Sequence, residues 1–276
     1  MIEIDNFRRE RIKNRMEKAI FLDIDGTLVS FQTHTMPASA VAALRKAHEQ
    51  GVGIFISTGR FYNTIAGIEG IRDLVDGYIT VNGAFCFVGD EVVCCNPISP
   101  ADVEAVLAAC TRHDFPCIVV GEQEIAVHNS KPIVRDTFEG MLNIRNIAFE
   151  APAEPVVRSQ RILQLTPFLT PQEEQALMRH TSDCISARWH PAFTDITAVA
   201  ADKGKGMEAI ARHLNIPLEQ CIAFGDGGND ISMMRVAGIG VAMGNAVPEL
   251  KAAADVVTTS VDDDGIARAL QEIMKW

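Results

Sequence analysis

At 276 residues the chain is long enough for two domains, or for one α/β domain that carries an insertion. Hydrophobic residues make up 47% and charged residues 22%, which is typical of a globular protein and excludes a disordered chain. The formal net charge of −11 argues against nucleic-acid or anionic-membrane partners, because the general field of the protein would repel phosphates. Any phosphate site must therefore be locally positive.

Residues 1–15 are polar and mixed in charge, and Met16 begins a stretch that resembles a natural protein start. We expect residues 1–15 to be an N-terminal extension without an assigned function. No apolar run approaches the ~18 residues of a membrane span, and the N-terminus lacks the apolar core of a signal peptide. We therefore expect a cytoplasmic protein with no membrane partner.

The cysteines support the same location, since their number is odd and no pair has the CxxC spacing of metal and redox sites. We expect reduced thiols that pack in the core. The seven are Cys86, Cys94, Cys95, Cys110, Cys117, Cys184 and Cys221.

The first part of the chain alternates between apolar runs and a helical pattern. Unbroken apolar runs such as these predict strands that are buried on both faces, as in a parallel sheet. The runs are AIFL (19–22), VGIFI (52–56) and YITV (78–81). A helix is predicted between the first two, over residues 38–51, and ends at a glycine.

The middle of the chain has a more antiparallel character. Residues 85–94 and 117–128 predict hairpins that turn at Gly-Asp and Gly-Glu, and residues 100–113 predict a helix. A further strand (161–168) and a helix opened by proline (171–182) follow. We expect residues 86–188 to form an inserted α+β domain.

The last part of the chain returns to the first pattern, with a helix over residues 203–215 and strands at 221–224 and 239–243. We therefore predict an α/β fold in which residues 16–85 and 189–276 form a doubly wound, Rossmann-like core around a parallel sheet. The inserted domain interrupts this core.

Four predicted core strands end in polar residues and glycine. The strand ends read FLDIDGT, FISTGR, ITVNGA and AFGDGGND. In an open parallel sheet the carboxyl ends of the strands line one crevice, where ligands bind at the point of strand-order reversal. These four clusters therefore predict a single site.

Carboxylates dominate this predicted site. Asp23 and Asp25 are two apart on an extended segment, so both side chains project to the same side. Asp226 and Asp230 add two more acids, and carboxylates so close together repel one another unless a cation or a shared proton separates them. Mg²⁺, which prefers oxygen ligands, would resolve this repulsion.

Other readings of these acids lack supporting residues. An isolated DxD is usually a solvated turn or a helix cap, but here it precedes GDGGND by some 200 residues, with Lys203 between the two. The glycine of calcium loops and the motifs of nucleotide cradles, zinc proteases, serine hydrolases and dinucleotide sites are missing from the sequence.

The set DIDGT, STGR, Lys203 in ADKGKG and GDGGND resembles the haloacid dehalogenase superfamily of phosphatases. Residues 225–270 are similar to its Cof-type branch, which carries a large α/β cap between the second and third motifs. This resemblance implies that residues 86–188 are a cap domain that selects the substrate.

The resemblance also implies roles for individual residues. Asp23 would be the nucleophile that forms an aspartyl-phosphate, and Asp25 would be the general acid and base. Mg²⁺ would be held by the Asp23 carboxylate, the Asp25 backbone carbonyl and the Asp226 carboxylate. The phosphate or substrate contacts would be Thr58, Lys203 and Asn229, and Asp230 would orient Lys203 or a water molecule on the metal.

We expect a phosphatase of small phosphorylated metabolites, most of all sugar phosphates. A phosphomutase with the same intermediate stays open, as does a non-catalytic sensor of phosphorylated metabolites. Arg60 is expected to contact the substrate or a cap residue, and Asn82 to contact the substrate or close a turn. Within the cap, the polar candidates for selecting the substrate are Glu122, His128, Arg135 and Arg161.

Overall fold

A computed structural model of the chain describes residues 16–142, 144, 147 and 149–276. The expected N-terminal extension, residues 1–15, lies outside the described residues. Within the described ranges, no helix combines the length and the apolar character needed to cross a membrane. The chain divides into two compact units, and the described part of the first consists of residues 16–60, 65–95 and 202–276.

The strands and helices of the described residues are numbered in chain order. The strands are β1 (Ala19–Leu22), β2 (Gly53–Ser57), β3 (Val75–Thr80), β4 (Phe85–Val88), β5 (Glu91–Cys95), β6 (Cys117–Gly121), β7 (Ile125–His128), β8 (Ile162–Pro167), β9 (Cys184–His190), β10 (Phe193–Ala198), β11 (Cys221–Gly225), β12 (Ile239–Ala242) and β13 (Val256–Val257). The α-helices are α1 (Ala38–Glu49), α2 (Pro100–Arg112), α3 (Pro132–Arg135), α4 (Ala153–Ser159), α5 (Pro171–Met178), α6 (Lys203–Leu214), α7 (Ile231–Val236), α8 (Pro248–Ala253) and α9 (Gly265–Met274). A π-helical turn, Asp136–Met141, continues α3.

The first unit is built on an eight-stranded sheet in the order β13-β12-β11-β1-β2-β3-β4-β5. The strands from β13 to β3 are parallel, and β4 and β5 add an antiparallel edge. Every residue of β1 and β2 is buried, which explains their unbroken apolar sequence. The predicted α/β fold with a doubly wound parallel sheet is confirmed.

Strand order reverses next to β1. The chain moves from β1 to β2 and β3 on one side, and it later adds β11, β12 and β13 on the other side. In sheets of this kind the crevice for a ligand lies at such a reversal, beyond the carboxyl ends of the strands. The ends of β1 and β11 therefore mark the expected binding position.

Aromatic and aliphatic side chains fix the sheet under this edge. Phe21 on β1 and Phe55 on β2 are paired in register, and their rings stack with centroids 4.9 Å apart. Helix α6 buries Met207 and Ile210 in the same core, at the spacing of one helical face. Each such fully buried side chain contributes about 1.5–3 kcal/mol to folding. The site thus rests on a rigid support.

The second unit consists of residues 61–64 and 96–201. Its five-stranded sheet has the order β7-β6-β8-β10-β9, and each neighbouring pair is antiparallel. One face of this sheet is apolar and packs against helices, with Leu165 and Ile196 in a cluster with Val106 of α2. The helices include α5, whose N-terminus is capped by a reciprocal capping box between Thr170 and Glu173.

The division between the units differs from the boundaries that the sequence predicts. The predicted insertion covers residues 86–188, whereas the observed one begins at residue 96 and ends at 201. The hairpin of β4 and β5 extends the first sheet, with Cys86 opposite Ile79 of β3. Strand β10 pairs with β8 and so belongs to the second sheet. Antiparallel pattern alone does not identify the sheet that a hairpin joins.

Candidate active site

Three aspartates meet at the carboxyl edge of the first sheet. Asp23 directly follows β1 and Asp226 directly follows β11, while Asp230 ends the short turn after Asp226. Carboxylate oxygens of the three lie within 4.8 Å of one another. Asp23 and Asp230 are buried, and Asp226 is half-buried. The point of strand-order reversal therefore carries a dense negative cluster.

The loop after β1 is shaped to approach Asp226. Gly26 has a positive φ of +82°, and a Cβ at this position would overlap the Asp226 carboxylate. Only glycine combines this backbone conformation with such close contact. Thr27 donates a hydrogen bond from Oγ1 to Oδ1 of Asp226, at 3.2 Å. The Gly-Thr of the DIDGT motif thus positions the second acid of the site.

Lys203 supplies the positive charge of the cluster. It is the first residue of α6 and is fully buried, with Nζ 2.7 Å from Oδ1 of Asp23 and 2.6 Å from Oδ1 of Asp230. Burial by itself would lower the pKa of Lys203, but the two carboxylates outweigh burial and raise the pKa. The lysine is therefore charged and held in the site.

Asp230 positions its neighbours. Its Oδ1 accepts the hydrogen bond from Lys203, and its Oδ2 accepts from the backbone N–H groups of Asp226 and Gly227, both at 3.0 Å. Both carboxylate oxygens are therefore in use, although Asp230 lies within reach of a metal.

The cluster is short of positive charge. The three carboxylates Asp23, Asp226 and Asp230 face one lysine, which leaves two negative charges without a partner when all are ionised. Burial raises the pKa of Asp23 well above its usual value, and it raises that of Asp226 to about 7, with the charge of Asp230 adding to the effect. A divalent cation matches this deficit and would displace the protons.

The side chain of Asp25 is not part of the cluster formed by Asp23, Asp226 and Asp230. Arg60 binds both of its carboxylate oxygens, with Nε 2.8 Å from Oδ2 and Nη2 2.5 Å from Oδ1. The sequence predicts a cation or a shared proton between Asp23 and Asp25, and the structure adds an arginine that provides positive charge beside Asp25. The carboxylate partner of Arg60 lies in the first unit.

Polar residues follow the two next strands of the sheet. Thr58 directly follows β2 and is buried, and its Oγ1 accepts a hydrogen bond from the backbone of Arg60 at 3.1 Å. After β3, Oδ1 of Asn82 accepts from Nδ2 of Asn229 at 2.9 Å. Val81 and Asn82 have positive φ values of 51° and 53°, an uncommon conformation that is strained for a β-branched residue. Such strain is frequent at functional sites.

Asn245 is a further residue of the site, which sequence reasoning did not single out. Its Nδ2 donates to the backbone oxygen of Gly26 at 2.8 Å, and its Oδ1 accepts from the backbone of Val261 at 3.0 Å. It therefore fixes the glycine turn beside Asp226. The available signal was its place just after the buried strand β12, which parallels the other polar strand ends.

The polar candidates of the second unit have partners there. Glu122 and Arg161 form an ion pair at 2.5 Å, and Arg135 pairs with a glutamate at 3.0 Å. His128 shares a hydrogen bond with a threonine hydroxyl at 2.9 Å. Each of the four side chains therefore has a partner within the unit.

Comparison with known proteins agrees with this geometry. A family model for haloacid dehalogenase-like hydrolases matches residues 20–270. The Bacillus subtilis protein YkrA is 31% identical over 93% of this chain and 97% of its own length. Phosphoglycolate phosphatase of Methanothermobacter thermautotrophicus is 27% identical over 94% of this chain and all of its own length.

Solved structures are similar over almost the whole chain. The sugar phosphatase BT4131, of subclass IIB of the same superfamily, is 45% identical with a TM-score of 0.84, over 93% of this chain and 99% of that one. The phosphatase BT1666 from Bacteroides thetaiotaomicron is 32% identical with a TM-score of 0.82, over 94% and 96%. The chain belongs to the haloacid dehalogenase-like hydrolases and is a phosphatase of phosphorylated compounds.

Proposed function

We propose that the protein is a Mg²⁺-dependent phosphatase that hydrolyses small phosphorylated metabolites, mainly sugar phosphates, through an aspartyl-phosphate on Asp23. One observation carries the chemistry: the buried Asp23 carboxylate lies against Lys203 and beside Asp226 at the strand-order reversal. The identity of 45% to a sugar phosphatase supports the substrate class.

The residues at the site fit Mg²⁺. We assign the Asp23 and Asp226 carboxylates and the Asp25 backbone carbonyl as its ligands, a set that consists only of oxygen atoms. Small hard cations prefer this set, and the two unpaired negative charges of the cluster match a divalent ion. When bound, Mg²⁺ would neutralise charge on the phosphoryl group.

In the first step, an oxygen of Asp23 attacks phosphorus, and the bond from phosphorus to the ester oxygen breaks. Lys203 and Thr58 hold the phosphoryl oxygens, and Asn229 contacts the phosphoryl group or the substrate. Asp25 donates its proton to the departing oxygen, so that an alcohol leaves and an aspartyl-phosphate remains.

In the second step, water attacks the phosphorus of the aspartyl-phosphate. Asp25 takes the proton from this water, and the bond from phosphorus to the Asp23 oxygen breaks, which releases phosphate and restores Asp23. Both steps require Asp25 to leave Arg60. The pair is partly exposed, with side-chain exposures of 40% and 22%, and ion pairs near the surface contribute only about 0–1 kcal/mol.

We place the enzyme in the cytoplasm. All seven cysteines are free thiols, including pairs of neighbours such as Cys94 and Cys95. Thiols persist in reducing compartments and are oxidised in secretory ones.

The test is phosphate release from sugar phosphates, nucleotides, pyridoxal phosphate and an aryl phosphate, with Mg²⁺ or with EDTA. We expect release that EDTA abolishes, that is strongest on sugar phosphates and that is absent in Asp23→Asn. Release that persists in EDTA or in Asp23→Asn would contradict the mechanism. Isomerised sugar phosphates in place of free phosphate would identify a phosphomutase, and binding without turnover a sensor.

A further inference from the structure

The hairpin of β4 and β5 places two cysteines side by side in the first unit. Cys86 of β4 and Cys94 of β5 are paired directly in the antiparallel register. Residues that are directly opposed in such a pair point to the same face, and their Cα atoms lie about 4.5–5.5 Å apart. A disulfide spans a Cα separation of about 4.4–6.8 Å, so the backbone already has the geometry that the bond requires.

The two thiol groups also contact each other. Cys94 packs against the core cluster that contains Cys86 and Met207 of α6. A hydrogen bond between the two thiols, together with burial, raises the pKa of Cys86. Both residues are free thiols in this structure. A bond between the two sulfur atoms therefore requires no change of strand register.

The two thiols differ in their access to solvent. Cys86 is fully buried, whereas Cys94 is half-buried. A small oxidant can therefore reach Cys94, while Cys86 is protected from it by burial and by its raised pKa. Cysteines that respond to oxidants commonly combine an accessible thiol with a second thiol beside it that completes the disulfide.

Other cysteines of the chain lack one of these features. Cys110 and Cys117 also share a hydrogen bond, but both are fully buried, and Cys221 is buried as well. Cys184 is half-buried, but burial and the charge of Asp102 raise its pKa to about 12. A thiol with so high a pKa forms little of the reactive thiolate.

Cys86 contacts the segment that positions Lys203. Its thiol donates a hydrogen bond to the backbone oxygen of Gly83 at 3.8 Å. Gly83 has a φ of +94° and packs so closely on the backbone of Asp202, the N-cap of α6, that a Cβ would overlap it. A Cβ at Gly206, in the first turn of α6, would lie 3.0 Å from the sulfur of Cys86. A disulfide of about 2.05 Å draws this sulfur toward β5 and changes its contacts with both glycines.

We propose that Cys86 and Cys94 form a reversible disulfide that lowers phosphatase activity by displacing Lys203. A hydroperoxide oxidises the Cys94 thiol to a sulfenic acid and is itself reduced to water or an alcohol. The Cys86 sulfur then attacks the Cys94 sulfur, so that the S–S bond forms, the S–O bond breaks, and the hydroxyl group leaves as water with the Cys86 proton. Two electrons thus pass from the two sulfurs to the peroxide, and a dithiol restores both thiols by exchange. The effect on turnover rests on the proposed role of Lys203.

Peptide mapping tests the bond itself. The reduced protein is treated with hydrogen peroxide, the remaining thiols are alkylated, and the fragments are analysed by mass spectrometry without reduction. Cys95 is the matched neighbour, since it is also half-buried but points to the other face of β5. We expect a Cys86–Cys94 linkage in the wild-type protein and in Cys95→Ser, and no linkage in Cys94→Ser. A linkage that involves Cys95, or no linkage in the wild-type protein, would overturn the proposal.

Phosphate release tests the consequence of the bond. Peroxide should lower kcat about tenfold or more in the wild-type protein and in Cys95→Ser, and dithiothreitol should restore it. Cys94→Ser should stay within about twofold of the reduced wild-type protein under both conditions. An equal loss in Cys94→Ser, or a mapped disulfide with unchanged turnover, would contradict the proposal. So would a loss that dithiothreitol does not reverse, because a dithiol does not repair oxidised methionine or sulfinic acid.

The two proposals fail in different ways. If the reduced wild-type protein releases phosphate from no compound, the proposed function fails, and peptide mapping still decides whether the disulfide forms. If the reduced protein hydrolyses phosphorylated metabolites but forms no Cys86–Cys94 bond, the disulfide proposal alone is overturned.

Discussion

Each unit contains a network of buried polar side chains around an aspartate, but the two networks differ in charge. In the first unit Asp23, Asp226 and Asp230 surround Lys203, and the excess negative charge calls for a cation. In the second unit Asp195 is held by neutral donors from tryptophan, threonine and glutamine. The first network suits a metal and a phosphoryl group, whereas the second is held by hydrogen bonds from neutral side chains.

Removal of Lys203 should have the largest effect. Lys203→Met leaves Asp23 and Asp230 buried without their partner, and breaking a buried ion pair costs about 3–5 kcal/mol. We expect phosphate release to fall by a factor of about 100–1000 as well, because the lysine stabilises charge on the phosphoryl oxygens. Urea unfolding and phosphate release measure the two effects.

Lys205→Met is the matched control, since Lys205 lies in the same helix and is exposed. It should change unfolding free energy by less than about 0.5 kcal/mol. If Lys203→Met behaved like Lys205→Met, the buried charge network would have no role in stability or turnover.

Replacement of Asp226 should separate stability from activity. Asp226→Asn removes a charge that Asp230 repels and keeps an acceptor for Thr27, so the metal-free protein should become more stable by about 1 kcal/mol. Mg²⁺ affinity should fall at least about tenfold, and turnover should be lost. Thermal unfolding in EDTA measures the gain in stability, and calorimetric titration measures the loss of Mg²⁺ affinity. The control is Asp262→Asn, because Asp262 is exposed. A less stable metal-free variant with unchanged Mg²⁺ affinity would contradict the assignment.

The pH dependence of metal stabilisation follows from the raised pKa of Asp226. The folded pKa is about 7 against an ordinary value of 3.8, so the folded, metal-free protein binds more protons than the unfolded chain between these values. Its stability should therefore fall as pH rises from about 4 to 7. Mg²⁺ replaces the proton, so it should raise Tm by several degrees at about pH 8 and by little at about pH 5. An equal shift at both pH values would contradict this linkage.

The half-exposed pair of Asp25 and Arg60 should have the smallest effect on stability. Arg60→Gln should change the unfolding free energy by less than about 1 kcal/mol, in contrast to Lys203→Met. Added salt should reduce even this difference, because exposed pairs are screened. Urea unfolding at low and high salt checks the prediction, and a loss as large as that of Lys203→Met would refute the contrast between the two pairs.

The sequence predicts the first network better than the second. The carboxyl ends of parallel strands lie at the same edge of the sheet, whatever the conformation of the loops. FLDIDGT and GDGGND can therefore be placed together without a structure. The ADKGKG motif indicates Lys203, but the burial of Lys203 between two carboxylates depends on packing. The pairing of Arg60 with Asp25 could not be predicted, because it depends on rotamers in two loops.

The network around Asp195 gives no such signal in the sequence. Its residues come from three strands of an antiparallel sheet whose order cannot be read from local pattern, and each is an ordinary strand residue by itself. The same ambiguity explains why the predicted and observed unit boundaries differ. The hairpins of residues 85–95 and 184–198 have similar sequence patterns but join different sheets.

The most direct test of the account is to trap the phosphoryl group on Asp23. Asp25→Asn lacks the base for the second step, so mixing it with Mg²⁺ and acetyl phosphate, which needs no general acid, should accumulate phosphoprotein. Mass spectrometry should locate one phosphoryl group on Asp23 and none in the Asp23→Asn, Asp25→Asn double variant. Steady hydrolysis by the wild-type protein with no phosphoprotein in Asp25→Asn, or with the group on another residue, would contradict Asp23 as the nucleophile.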